Sequence, residues 1–377
     1  MKQGFKNQKG FGAVGIIIAV VAVLAMISTI FIFKFKKTET IKIGAVLSIS
    51  GPAKTEGTGV RDGMLLAVDE INSQGGINGK KIELFIEDSK TNPDEGKRAF
   101  NKIESMHHPV LYVSNSSSVS IALAPLAGEK KVVLAGLVAS DPKLTQNTRW
   151  VYRYWPTATT EAQTILPILL ELKVNNLGII YQKDAYGTSE FELLKTAFEK
   201  TGGAVIGEAF MMKESDYKTP VAKLIDSDAI FFVGFTFHVK NIFKQLKESN
   251  FKGFKITTHA AADDSIRNMP EADGAYCTVP IIFNPKFLYA AEAKKKLVDR
   301  YHRSFNFFAA ANGYDFIRFF SNLLEDQKLS RSNARRLLDQ GFTYPGVFGD
   351  IRLKPGEHDI HIPLHPARIE NGKIKYR

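Results

Sequence analysis

The chain is predicted to be an α/β protein built from two doubly wound parallel-sheet lobes. Three observations lead there: its length, a strand and helix alternation that runs from residue 41 and starts again after Tyr154, and a switch to long helices near residue 281. At 377 residues with 44% hydrophobic content the chain exceeds what one hydrophobic core organises, so two core-forming units are expected. Short β-branched runs alternating with helical patterns mark parallel sheets covered by helices on both faces.

In order, the first series reads as strand 41–47, helix 60–73, strand 82–88, helix 93–105, strand 110–114, helix 118–129 and strand 132–136. Asn92-Pro93-Asp94-Glu95 supplies a cap, a first-turn proline and acidic residues for the helix dipole, which sets the start of the second helix. The second series reads as helix 160–172, strand 177–181, helix 189–200, strand 204–210, strand 229–235, helix 238–249 and strand 255–258. Helices 289–304, 311–325 and 332–340 follow, then strand-like pieces from 347 onward. Ligands on sheets of this type bind beyond the carboxyl ends of the strands, so two facing lobes would share one cleft.

Charge and cysteine content exclude several classes of function. The formal charge is +11, but Lys2, Lys6, Lys9, Lys34, Lys36 and Lys37 flank one apolar segment and supply more than half of it. The remaining lysines lie along helix faces beside acidic residues, a solvated surface and not a nucleic-acid stripe. Cys277 is the only cysteine, so the chain has no internal disulfide, no CxxC pair and no N-terminal lipid-anchoring cysteine. It is expected to pack as a small core residue in strand-like 274–279. Segment 11–33 holds 23 residues without a charge, enough to cross about 30 Å of hydrocarbon. An uncleaved N-terminal anchor over 1–37 is expected, giving a single-pass protein of the cytoplasmic membrane with its binding domain outside. Val23-Leu24-Ala25 keeps a cleaved signal peptide open as the alternative, and three lysines on each side leave orientation undecided.

The run from Ile41 to Pro52 (IKIGAVLSISGP), with Gly57, Arg61-Asp62-Gly63, Ala67 to Asn72 (AVDEIN) and Gly75 to Gly79 (GGING), resembles the opening of the Leu/Ile/Val-binding protein family. Glu87-Asp88, Asn92-Pro93, Ser116-Ser117-Ser118, Pro125, Asp141 to Thr145 (DPKLT), Asp184-Ala185-Tyr186-Gly187, Gly313-Tyr314-Asp315, Phe348-Gly349-Asp350 and Asn371-Gly372 follow in the family's order. The resemblance implies a type I periplasmic-binding fold with three crossovers at a hinge. It places residues 38–156 and 281–341 in lobe 1 and 157–280 and 342–377 in lobe 2. The two lobe 1 cysteines common in the family correspond to Thr91 and Ser116, so that bridge is missing.

Ser117 and Ser118 open a helix directly after a strand, where free N–H groups and the helix dipole favour an anion. An ordinary serine cap would look the same; the resemblance makes Ser116, Ser117 and Ser118 the site of a ligand carboxylate. It likewise implies that Ala139 offers a carbonyl and Ser140 a hydroxyl, although a plain turn before Asp141-Pro142 also fits. Tyr186 is expected to cover the ligand and donate its hydroxyl. Phe235 and Phe237 are candidate apolar walls or core residues. The family's acidic partner for a ligand ammonium is replaced by His259, with Ala260 to Ala262 beside it, while Glu56 stands in the 52–57 loop. Glu56, or failing it Asp263 or Asp264, is therefore the candidate countercharge for an ammonium or amidinium group, unless Glu56 faces solvent.

The expected function is that of an extracytoplasmic solute-binding protein of an ABC importer, a monomer that captures an amino acid or similar small polar solute by clamp closure. ABC permease subunits are the expected membrane partners, and no nucleic acid or cofactor is expected. A ligand-sensing receptor ectodomain acting through a membrane partner is the alternative. No GxSxG, GxxxxGK or HExxH motif is present, so no enzymatic role is expected. His358, His361 and His365 with Asp359 are the best metal candidates, but their spacing suits neither a strand face nor a helix, and no metal site is expected.

Overall fold

The computed structural model describes residues 17–18, 39–302 and 306–377. Residues 41–377 form one compact unit, which contains both large sheets and the helices that cover them.

The first sheet contains β1 (Ile41–Leu47), β2 (Ile82–Asp88), β3 (Leu111–Asn115), β4 (Val133–Leu137) and β5 (Val151–Tyr154). All pairings are parallel, in the order β2-β1-β3-β4-β5. The buried strands β1, β3 and β4 are largely apolar runs, as strands covered on both faces must be, whereas β2 is mostly half-buried and takes an edge. Helices α1 (Lys54–Ser73), α2 (Pro93–His107) and α3 (Ser117–Lys130) make the connections. Asn92 caps α2 as expected, its side chain accepting from the Asp94 and Glu95 amides.

Two differences from the expected elements have physical causes. α1 begins at Lys54 and not at 60, so Glu56 lies in its first turn. The glycines that weaken helix propensity there serve close packing: a Cβ on Gly63 would sit 1.8 Å from the Ala310 carbonyl oxygen. Strand β5 was absent from the expected pattern because Arg153 interrupts it. That arginine is fully buried, with Nε donating to Asp359 Oδ1 (2.9 Å) and Nη1 to the Ala139 carbonyl (2.7 Å).

The second sheet holds β6 (Asn176–Gln182), β7 (Ala204–Phe210), β8 (Ala229–Val233), β9 (Phe254–Thr257), β10 (Tyr276–Val279), β13 (His365–Glu370) and β14 (Lys373–Tyr376). Its order is β14-β13-β10-β9-β8-β6-β7, parallel from β6 through β10 and antiparallel at β13 and β14. Helices α4 (Ala158–Glu171), α5 (Ala185–Glu199), α6 (Lys218–Lys223), α7 (Thr236–Glu248) and the single turn α8 (Asp264–Arg267) belong with it. Cys277 is buried in β10 and free of any bridge.

Between the two sheets in sequence come α9 (Leu288–Tyr301), α10 (Phe307–Leu323), α11 (Arg331–Asp339) and the hairpin β11 (Phe342–Gly346) and β12 (Gly349–Leu353). All of these pack into the first sheet's core. α10 is buried nearly all round and lies against α1, with Phe307, Phe308, Phe316, Phe319 and Phe320 inside. Each such phenylalanine contributes about 1.5–3 kcal/mol of burial free energy. Val347, Phe348, Ile351, Leu353, Ile360 and Ile362 join the same core, whereas Ala367 and Ile369 belong to the second. The stretch up to Ile362, expected with lobe 2, thus packs with lobe 1. The chain crosses between cores three times, at residues 155–158, 279–282 and 362–367.

The membrane-anchored localisation expected from segment 11–33 is corrected. Among the described residues no helix is long and apolar enough to cross a membrane. The longest described helix, α1, carries Arg61, Asp62, Asp69 and Glu70, and the apolar α10 is buried against it. Segment 11–33 itself lies outside the described residues except for Ile17 and Ile18.

Candidate ligand-binding site

The first sheet contributes two loops at its strand ends. After β3 the chain turns at Ser116 (φ 67°, ψ 141°) into α3, whose N-terminus has no side-chain cap. The Ser116 hydroxyl is buried without a partner. After β4, Val138 also has positive φ (48°), an outlier for a β-branched residue. Such backbone costs about 1–3 kcal/mol per residue and persists only where surroundings over-determine it. They do here: the Val138 N–H donates to Asn312 Oδ1 (3.2 Å), Asn312 Nδ2 donates to the Tyr154 carbonyl (2.8 Å), and Arg153 grips the Ala139 carbonyl.

The second sheet contributes the ends of β6, β8 and β9, the positions where doubly wound sheets bind ligands. Tyr186 lies in the first turn of α5 and stacks on Phe235 at 6.0 Å, with its hydroxyl sharing a hydrogen bond with Thr258 Oγ1 (3.2 Å). His259 follows β9, edge-on to Trp155 (4.9 Å) and Phe308 (4.5 Å). Burial pushes its imidazole down to about 3, so the ring is neutral, and Nδ1 is buried without a partner.

Glu56, Ser116, Ser117, Ser140, Tyr186, Phe235 and His259 line one cavity, together with Val138, Trp155, Gly234 and Ala260. Its volume is about 20 Å³, room for roughly one water. A surface cleft of about 420 Å³ beside α9 and β14 is larger, but none of the buried unpartnered polar atoms lies among its lining residues. In the small cavity Glu56 Oε2, Ser116 Oγ and His259 Nδ1 all lack partners.

Around the cavity, three carboxyls bridge the lobes. Ser118 Oγ donates to Asp184 Oδ2 (3.1 Å) and Ser140 Oγ to Glu190 Oε1 (2.7 Å). The Thr236 N–H and hydroxyl both donate to Glu56 Oε1, at 2.9 and 2.7 Å. Burial raises all three carboxyls above their ordinary range, outweighing the hydrogen bonds that lower them. Glu161, hydrogen-bonded by the Thr278 hydroxyl, is raised further by burial and by neighbouring Glu190.

Several expected residues stand apart from the cavity. The Ala139 carbonyl is engaged by Arg153, and Ser118 lies at the lobe junction without lining the cavity. Phe237 packs against His238 at 3.7 Å. Asp263 caps α8 through Ser265, and Asp264 pairs with Arg267. Among the described residues no group of three His, Cys, Asp or Glu side chains could hold a metal; Asp359 pairs with Arg153, and His358 stacks on Tyr152. Sequence reading missed Trp155, Val138, Thr236, Glu161 and Glu190. Glu190 stands one helical turn past Tyr186, a spacing that puts it on the same face of α5.

Two doubly wound lobes, linked by three chain crossings and meeting at a polar and aromatic cavity beyond their strand ends, define a bilobed solute-binding protein. The chain belongs to the periplasmic binding protein family, whose model matches residues 40–373, and within it to the Leu/Ile/Val-binding, type I kind. It is 26% identical over 200 residues to the Leu/Ile/Val-binding protein BraC3 of Rhizobium johnstonii, covering 52% of this chain and 54% of that protein. The match thus spans just over half of that relative's length. Two solved structures share the fold over 90% of this chain. One is an extracellular ligand-binding receptor from Rhodopseudomonas palustris HaA2 (TM-score 0.82, 21% identity, 100% of that chain). The other is the branched-chain amino acid transporter substrate binding protein LivJ from Streptococcus pneumoniae in complex with isoleucine (TM-score 0.79, 20% identity, 99% of that chain).

Proposed function

We propose that the protein is the extracytoplasmic solute-binding component of an ABC importer, a monomer that captures an amino acid or similar small polar solute between its lobes and hands it to membrane permease subunits. The lobes are residues 41–156 with 281–362, and 157–280 with 363–377. Binding proceeds by clamp closure: solute engages one lobe, bridges to the other, and shifts the population to the closed form. In this reading the uncapped start of α3 at Ser116 and Ser117 receives a solute carboxylate. Ser140, Tyr186, Phe235 and His259 complete the enclosure, with Ser118 and Ala139 positioning it.

The observation that carries the reading is the cavity at the lobe junction, with unpartnered polar atoms from both lobes turned to one space. Its test is a thermal-shift screen of the full chain against amino acids, amides, polyamines and small carboxylates. A solute held only by the folded state at 100 times its Kd stabilises by about 2.7 kcal/mol. At least one class is expected to raise Tm and to reduce the radius of gyration in small-angle scattering. A blank screen, or binding without compaction, would reject the clamp.

A further inference from the structure

The cleft of about 420 Å³ beside α9 and β14 is also built from both lobes. Lobe 1 supplies Ile282, Phe283, Ala290, Lys294 and Phe307, and lobe 2 supplies Arg267 and the β14 residues Lys373, Ile374 and Lys375. It shares no lining residue with the solute cavity. Its volume falls within the range of small-molecule pockets, about 300–1,000 Å³. Arg267, Lys294, Lys373 and Lys375 bring four cations to it, and among the described residues no Asp or Glu lines it. Ile282, Ala290 and Phe307 are buried side chains that give it an apolar wall.

Asp264, which does not line the cleft, answers two of these charges: its Oδ1 pairs with Arg267 at 2.7 Å and lies 3.8 Å from Lys294 Nζ. Lys294 Nζ also stands 5.3 Å from the centre of the Phe307 ring. Lys373 and Lys375 have no ion-pair partner among the described residues; Glu370, opposite Lys373 in the β13–β14 ladder, lies 3.9 Å from Arg368 instead. Two apart on one strand, the two lysines share a face of β14. One carboxylate against four cations leaves positive charge in excess beside the apolar wall.

Those two surfaces complement an anion with an apolar body, its charge on the lysines and its ring or chain against the wall. We propose that this cleft is a second binding site, for a small organic anion of the aromatic or acyl carboxylate class, held between α9 of lobe 1 and β14 of lobe 2. Because both halves build the site, its ligand binds the arrangement that brings them together and stabilises that arrangement. In the clamp reading, on which this last step rests, the anion favours closure from outside the solute cavity.

The test is titration calorimetry of the full chain with benzoate and hexanoate, against benzamide, which lacks the charge, and acetate, which lacks the apolar body. At least one of the two larger anions is expected to bind at least tenfold more tightly than either control. Lys373→Glu with Lys375→Glu should weaken it more than tenfold, whereas the same charge change at Lys213 and Lys218, which do not line the cleft, should alter it less than twofold. Ala291→Trp, at an exposed position of α9 that lines the cleft, should block it, with the melting temperature of each variant reporting its fold. Bound benzoate or hexanoate should slow hydrogen exchange in both 282–294 and 373–376. No binding by either anion, binding that survives Ala291→Trp, or protection confined to one lobe overturns the site. The solute screen repeated in Ala291→Trp separates the two readings: a blank there beside anion binding in the wild type would reject the clamp and keep this site, and solute binding there without anion binding in the wild type would do the reverse.

Discussion

The two lobes present different materials to the same cavity. Lobe 1 offers chiefly strained backbone and small hydroxyls, with Ser116 and Val138 at positive φ and an uncapped helix start, beside the Glu56 carboxyl and the ring of Trp155. Lobe 2 offers rings in ordinary conformations, with carboxyls on α5 and in the turn before it reaching across to lobe 1 serines. The contrast teaches that the polar half must be held from behind, because its conformation is not locally favoured, whereas the aromatic half is held by its own packing. Arg153, Asn312 and Tyr154 supply that backing for lobe 1.

The largest effect should therefore come from removing the backing. Arg153→Ala leaves a void and an unmet Ala139 carbonyl, for an expected loss of at least about 3 kcal/mol in urea unfolding. Hydrogen exchange should accelerate first in residues 138–141. Uniform exchange across both lobes would break the comparison.

Next in size is the junction between the lobes. Ser140→Ala removes the hydroxyl donor of buried Glu190, which disfavours the closed form by about 1–3 kcal/mol and should enlarge the radius of gyration without solute. The pH response follows from the same groups. The carboxyls of Glu56, Asp184 and Glu190 are raised by burial, so in the proposed clamp an opening that exposes them would release protons. Closure is then favoured in acid and loses that advantage as pH climbs from the ordinary carboxyl range through the raised values. Scattering at pH 5 and pH 8.5 should show the more compact form at pH 5; a pH-independent radius would refute the linkage.

The smallest effect is expected at Val138→Gly. Relief of positive φ should leave stability unchanged or raise it by up to about 1 kcal/mol, measured as a shift in Tm. A clear loss would mean that Val138 is held by packing and not strained.

Most of the framework was legible in the amino-acid sequence because short β-branched and apolar runs alternate with helical patterns along the chain. Strands 41–47, 82–88 and 204–210 agree with β1, β2 and β7 residue for residue. What escaped was structure whose cause lies elsewhere in the chain. β5 is interrupted by an arginine that Asp359, the Ala139 carbonyl and Thr145 make tolerable. The early start of α1 is hidden by glycines that answer to α10. Glu56, Ser116, Ser117, Ser140, Tyr186, Phe235 and His259, singled out mainly through the family resemblance, line one cavity in the structure. Trp155 and Thr236 were missed because their part depends on two distant segments meeting.

The discontinuity of lobe 1 also reverses the order of its assembly on the ribosome. Its core draws on residues from Ile41 to Ile362, while the parallel strands of lobe 2 all lie between Asn176 and Val279. The strands made first must wait, unpartnered by α9, α10 and the β11–β12 hairpin, until most of the later lobe has been synthesised. Only the antiparallel pair β13 and β14 is still to come when the older lobe finally closes its core.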